Sequence, residues 1–411
     1  MICMRRLASA IAMVGLVALA ACDGFIEVTN PNVVEAGSID PDEDSALLAW
    51  SAYQDFVAGF GDIIMNVSWF TTDAWSGDSS EDRSEIARRA IDPGNARLLN
   101  DIWTRFSRGL ATSEDAIDIL VNATDAASNI HLARVSLSAG YSYLLMAETF
   151  CRGTARGGPP LDESQMLDLA VERLSAARQI GLAAGGADGE AIAMAASVGL
   201  GRSHLLAGEG SMAVSAVGGV PDSFEYLLYN ADDPANRERL GNKFWEATAD
   251  RASLVVPPRY RALADGGDPR VGYVDTGVNA YDGILRMYAQ SKYPSWAAAY
   301  RLASGLEARY IAVEANGDEG AMLAWVNERR AAGGHDPVSL SGQALLTEFL
   351  TQKSIDLWLE GQRMGDFRRH GTSLPDLLPT GSELYKPAAG PVGDDTCFPL
   401  PIAETSANPN F

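Results

Sequence analysis

The chain has 411 residues, 47% of them hydrophobic and 8% aromatic, a make-up that belongs to a folded body and excludes a disordered tail. Its 54 acidic residues outnumber 32 basic ones, for a net charge of −22. A surface of that sign repels phosphate backbones, so nucleic acid is excluded as a partner.

Met1 to Ala21 reads as an export signal: Arg5 and Arg6 at the start, an apolar run from Leu7 to Ala18, and an Ala20-Ala21 exit. The run is well short of the ~20 residues that cross a bilayer. Leu19-Ala20-Ala21-Cys22 resembles the bacterial lipobox, whose cysteine is acylated and heads the mature chain. Cys22 is therefore the expected lipidation site and the membrane contact, each buried CH₂ of its acyl chains adding about 0.8 kcal/mol. Without the leader the chain keeps 30 basic and 54 acidic residues, a net of −24. It also keeps one unassigned cysteine pair, Cys151 and Cys397, which an exported, oxidising setting predicts to be bridged. The pair lacks histidine neighbours at ligand spacing, so no metal is expected there.

Asp23 to Asp44 is polar and turn-rich, a tether running onto the body. Helices follow. Leu99, Ile102, Phe106, Leu110, Ile117, Leu120 and Val121 fall on one helical face, predicting one long helix or two nearly collinear ones. Residues 131–150 form a second helix, ended by "CRGTARGGPP". Asp162 with Gln165 reads as a capping box for a third, continued by Leu167, Val171 and Leu174. Residues 190–209 form a fourth, whose Ala195, Ala196 and Gly199 let a neighbour approach closely. Long helices with short breaks suggest antiparallel pairs of the tetratricopeptide kind. No full 34-residue consensus can be laid over them, so a generic bundle stays open. From Val214 to Pro294, Gly, Pro, Asp and Tyr punctuate short apolar runs, reading as irregular chain with short strands. Helical pattern returns at 296–330 and 341–369, and the last forty residues, rich in Pro and Gly, are expected over the surface.

Motifs for chemistry are missing. His131, His204, His335 and His370 form no i, i+4 pair, and no GxSxG, GxxxxGK[ST] or strand-linked GxGxxG occurs. No catalytic residue, cofactor or metal is expected; a glycosidase pair of carboxylates cannot be read from spacing alone. The densest stretch is "TEFLTQKSIDLWLEGQRMGDFRRHG" (347–371). Glu360 with Arg363 and Asp366 with Arg369 are expected as i, i+3 pairs, an ion-pair belt fastening a helix to its surroundings, each exposed pair worth ~0.2–0.5 kcal/mol, rather than a binding cluster.

That stretch resembles the C-terminal signature of the SusD/RagB family of surface lipoproteins, through Lys353, Ile355, Asp356, Leu357, Glu360, Gly361, Gln362, Arg363 and Asp366 to Arg369. "VNERRAAGG" (326–334) resembles the family's N-x-R-x-x-A-G turn, "CFPLPIAETSANPNF" its ending, and "SALLAWSAYQDF" (45–56) its first helix. Two departures stand out: Thr351-Gln352-Lys353 replaces the usual charged start, and "CRGTARGGPP" replaces a short turn. The resemblance implies a mainly α fold, a tetratricopeptide-like scaffold of helical pairs with an irregular, loop-rich lobe containing short strands. It further implies a lipid-anchored outer-membrane protein on the cell surface. Such a protein binds a nutrient, often a glycan, and caps a SusC-like TonB-dependent transporter. The organisation expected is a leader (1–21), a tether (22–44) and one body (45–411). In the body the scaffold lies mainly at 45–213 and 296–370, the lobe at about 214–295 and a loop-rich segment at 371–411.

Sugars are held by flat aromatic faces together with amide and carboxylate hydrogen bonds. "SWFTTDAWSGD" (68–78) offers Trp69, Trp75 and Asp78, and "YDGILRMYAQSKYPSW" (281–296) offers Tyr281, Tyr288, Tyr293 and Trp296. These seven are the candidate ligand contacts. Two other classes are carried alongside. A lipid-anchored helical-repeat adaptor would show a long groove and no aromatic pocket, and a surface glycoside hydrolase would show two convergent carboxylates with raised pKa.

Overall fold

The computed structural model describes residues 39–386 and 389–411. Cys22, the leader and most of the tether lie outside the described residues. Pro41–Phe411 forms one compact unit.

Helix α1 (Ser45–Phe70) is buried at every position from Asp55 onward, as expected of a central helix rather than an amphipathic surface one. It leads to strand β1 (Trp75–Ser76) and the short α2 (Glu81–Ala87). Helix α3 (Thr104–Leu120), entered through a π-helical turn at Leu98–Trp103, crosses α1 closely. A Cβ on Gly59 would stand 2.8 Å from the Phe106 Cα, and one on Gly109 2.9 Å from the Asp55 carbonyl oxygen, so both crossing points require glycine.

Helix α4 (Ile130–Thr149) starts at Asn129, whose side chain accepts the His131 and Leu132 amides at 2.9 and 3.1 Å. Helix α5 (Glu163–Ala184) carries the expected capping box, with Gln165 N–H donating to Asp162 at 2.9 Å and the return bond at 3.0 Å. Only Gly185, at φ +67°, separates it from α6 (Gly186–Leu206). Gly181 meets Gly189, and Leu174 meets Gly199, so α5 and α6 run antiparallel with the small residues at the seam. Helix α7 (Gly210–Val217) packs on α6. Mainly α, with helical pairs of the tetratricopeptide kind, is the observed architecture.

Among the described residues the strands form three two-stranded antiparallel sheets. β2 (Glu225–Leu228) pairs with β6 (Tyr300–Ser304), β3 (Leu254–Val255) with β1, and β4 (Tyr273–Asn279) with β5 (Arg286–Gln290). Helix α8 (Pro258–Asp265) lies between β3 and β4. The scaffold then resumes: α9 (Gly305–Asn316) packs on α7 and α6, and α10 (Glu319–Ala332) on α11 (Gly342–Asp356).

Four local expectations are corrected. Helix does not begin at 296: Tyr300 and Leu302 point inward while Arg301 is half-buried, the alternation of a strand, and α9 starts only at Gly305. The 341–369 pattern is two helices, α11 and α12 (Arg363–His370), separated at 357–362 where Leu359 and Gly361 take φ of +59° and +77°. Glu360 is therefore not on a helix with Arg363. It pairs instead with Lys292 at 2.5 Å and Arg301 at 2.8 Å, while Arg363 donates to the Thr71 carbonyl at 2.8 Å. Nor is the belt exposed. Glu314 sits buried among Lys353 (3.0 Å), Arg369 (2.9 Å) and His370 (3.0 Å), and Lys353 and Arg369 both reach Asp366. Burial pushes the Glu314 carboxyl up, but these cations outweigh it and hold it well below the usual range.

The C-terminal segment is also more than surface cover. Cys151 and Cys397 form a disulfide with Cα atoms 5.1 Å apart. Beside it, Phe398 N–H donates to the Thr149 carbonyl at 2.7 Å. The fully buried Phe398 ring packs against Phe70 and Phe150. The link joins the chain end to the scaffold across 246 positions of sequence.

Candidate functional site

The seven aromatic and acidic candidates do not share one fate. Trp69 and Tyr293 are core residues. Trp69 is fully buried in α1, and Tyr293 stacks on Phe244 at 5.0 Å with its hydroxyl donating to the Leu359 carbonyl at 3.1 Å. Both lack an exposed face for a sugar. Trp75 is half-buried and spends one face on Tyr385, the rings 4.4 Å apart and 9° from parallel. Tyr288 lies under the Arg261 guanidinium, 3.8 Å from its centroid, and Trp296 covers the backbone of Gly241.

Asp78 and Tyr281 do come together. They line one cavity of about 420 Å³ with Ser80, Arg83, Arg97 and Arg251; Ser79 and Asp250 complete its wall. Local pairing builds it. Trp75 and Ser76 pair with Val255 and Leu254, Gly77 N–H donates to Ser253 at 2.8 Å, and Asp282 N–H donates to the Gly77 carbonyl at 2.8 Å. Tyr281 N–H donates to Ala252 at 2.9 Å, pinning the β4–β5 turn to the same loop. The Asp282 carboxylate closes that turn by accepting the Ile284 and Leu285 amides at 2.8 and 3.0 Å. The Tyr281 ring stays 67% exposed at the rim.

The charges are set by α2 and the 246–251 turn. Asp78 is buried and pairs with Arg83, whose guanidinium lies 5.7 Å from the Trp69 ring centroid. Arg97 pairs with Asp101 one helical turn on, and Arg251 with Glu246 at 2.7 Å. Arg83, Arg97 and Arg251 also border a deeper recess of about 130 Å³ that reaches Asp62, Arg105 and Lys243. There burial pushes the Asp62 carboxyl up to about 6, against the pull of Lys243 and Arg105.

Two other cavities are differently made. One of about 620 Å³ is bordered by Arg270, Lys292, Arg301, Arg329, Asp356 and Glu360, with each cation tied to a carboxylate. The other, of about 480 Å³, lies between α8 and α11 along Tyr260, Leu263 and Ile355. Neither presents an exposed aromatic ring. Aromatics and acids near turns pointed to Asp78 and Tyr281. The three arginines, separated by 14 and 154 positions, left no signal in the sequence. Among the described residues, no group of three or more His, Cys, Asp or Glu could hold a metal ion, and no helix is long and apolar enough to cross a membrane.

No family model matches the sequence, and no curated protein matches it. Solved structures do. A SusD/RagB family protein from Bacteroides thetaiotaomicron is 15% identical, with a TM-score of 0.62 over 89% of this chain and 94% of its own. A laminarin-binding SusD-like protein is 14% identical, with a TM-score of 0.63 over 90% of this chain and all of its own. Surface glycan-binding protein A from Bacteroides fluxus is 15% identical, with a TM-score of 0.66 over 90% of this chain and 97% of its own. The fold is the SusD-like fold.

Proposed function

We propose that this protein is a lipid-anchored, cell-surface member of the SusD/RagB family that binds an oligosaccharide and passes it to a TonB-dependent outer-membrane transporter. The observation that carries the reading is the SusD-like fold across nine-tenths of the chain, shared with a laminarin-binding and a surface glycan-binding protein. The cavity between the β1 loop and the β4–β5 turn supplies what a sugar needs. Tyr281 offers an open ring, and Ser80, Asp78 and the arginines offer hydrogen-bonding groups around it. The lipobox at Cys22 supplies the anchor, and Cys22 to Asp44 the tether.

Capture of this kind acts by affinity and needs no bond cleavage. Asp78 is engaged by Arg83, an arrangement suited to orienting a ligand. Titration calorimetry on the full-length protein with a panel of oligosaccharides tests the reading. We expect binding that weakens about tenfold or more in Tyr281→Ala, and co-purification of a barrel transporter from solubilised membranes. Failure of every sugar on the panel would overturn it.

A further inference from the structure

Acids outnumber bases 54 to 32 in this chain, yet three guanidiniums face one small cavity against two carboxylates, Asp78 and Asp250. Each is sparingly used. Among the described residues Arg83 gives one hydrogen bond, through Nη1 to Asp78, and Arg97 gives one through Nη1 to Asp101. Arg251 approaches acids through Nη2, at 2.7 Å from Glu246 and 3.9 Å from Glu238. A guanidinium carries five N–H donors, so most of this capacity is unspent. Arg97 and Arg251 are also open to solvent, with side chains 33% and 35% exposed.

The larger cavity shows what spent arginines look like. Arg270 uses Nε, Nη1 and Nη2 on Asp268, Gln352 and Asp356, and Arg301 uses all three nitrogens on Glu360, Glu225 and the Asp356 carbonyl. Those forks lock structure. The forks beside Tyr281 do not.

Resting on the glycan reading above, we propose that this cavity takes an anionic sugar, a uronate or sulfated unit whose charge sits over Arg83, Arg97 and Arg251 while Tyr281 covers its ring. Guanidinium forks match planar carboxylate and sulfate oxygens better than neutral hydroxyls. Burial is what chiefly pushes the Arg83 guanidinium down; Asp78 pulls it back up and the like charges of Arg97 and Arg251 lower it further, while Arg97, despite partial burial, is itself raised beside Asp101. An anion in the cavity relieves that repulsion.

The test is calorimetry on the full-length protein with four matched ligands: a neutral glucan oligosaccharide, an oligogalacturonate, its methyl ester, and a sulfated oligosaccharide. At least one anionic ligand is expected to bind tenfold or more tighter than both neutral ones, and to weaken steeply with added salt. Arg97→Gln and Arg251→Gln are expected to lower that affinity about tenfold each, with Arg97→Lys recovering part of it and binding of neutral sugar falling by much less. Whether uronate or sulfate wins identifies the source of the charge, and either supports the proposal. Equal affinity for ester and free acid, unchanged in the arginine variants, would overturn it and leave the glycan reading intact. Binding of no sugar at all would overturn both.

Discussion

Two regions of this molecule are rich in the same side chains and use them in opposite ways. Around 353–370, arginines, lysines and acids are largely buried and heavily cross-linked, so Asp356 alone receives Arg270, Arg329 and the Tyr310 hydroxyl, the last at 2.5 Å. Around Tyr281 the arginines stand at a cavity wall, Arg83 and Arg97 each giving one hydrogen bond among the described residues and Arg251 resting beside Glu246. The difference teaches how to tell a structural charge from a binding charge. What matters is how many donors remain after the protein has taken its share.

The sharpest way to break this contrast is to remove a node from the buried side. Asp356→Ala leaves Arg329, whose side chain is 18% exposed, without its carboxylate, and takes from Arg270, 9% exposed, one of two, Asp268 remaining. Breaking a buried pair from one side costs about 3–5 kcal/mol, a large share of a total of roughly 5–15. Urea unfolding is expected to show that loss and a fall in folded yield. A change under about 1 kcal/mol would mean that the signature is not the fastener that its hydrogen bonds describe.

Within the same region Glu307 is the charge least well served, and it makes the second test. It is 1% exposed, with Arg202 3.7 Å away, Gln362 and Lys353 helping, and Glu360 opposing. Burial dominates and raises its carboxyl from 4.5 to about 7. Between those values the folded state holds more proton than the unfolded chain, so stability falls as pH rises through the window. The whole effect is about 3 kcal/mol. Glu307→Gln is expected to flatten the pH dependence and to gain up to that amount at pH ~8, with no gain at or below pH ~4.5. Parallel stability curves for the two proteins from pH ~4 to ~8 would refute the assignment.

Which of these features could be read in advance depends on how local they are. The helices at 104–120, 130–149 and 163–184 were legible because apolar spacing and, for the last, the capping box at Asp162 are local signals. Strand β6 was not, because Tyr300, Leu302 and Ala303 run straight into the helical pattern of α9 and the change of period is only five residues long. Trp69 and Trp75 could not be distinguished in sequence, yet one is sealed inside α1 and the other wedges against Tyr385. Asp78 and Tyr281 were legible singly, by residue type and neighbouring turns. Their meeting depends on the β1–β3 pairing and the Gly77–Asp282 hydrogen bond, which no spacing encodes.

The smallest effect sharpens the comparison from the cavity side. Arg251→Gln removes a guanidinium that is 35% exposed and whose contacts are Glu246 and, more distantly, Glu238. Glu246 is not stranded by the change, because Lys243 lies 3.0 Å from it on the same turn. No buried charge loses its last partner, so the cost falls in the range of an exposed pair, about 0.2–1 kcal/mol. A urea midpoint within that margin, measured beside Asp356→Ala, would separate the two classes of arginine by several-fold in stability. A loss as large as that of Asp356→Ala would place Arg251 among the fasteners and remove the basis for treating its free donors as held in reserve for a ligand.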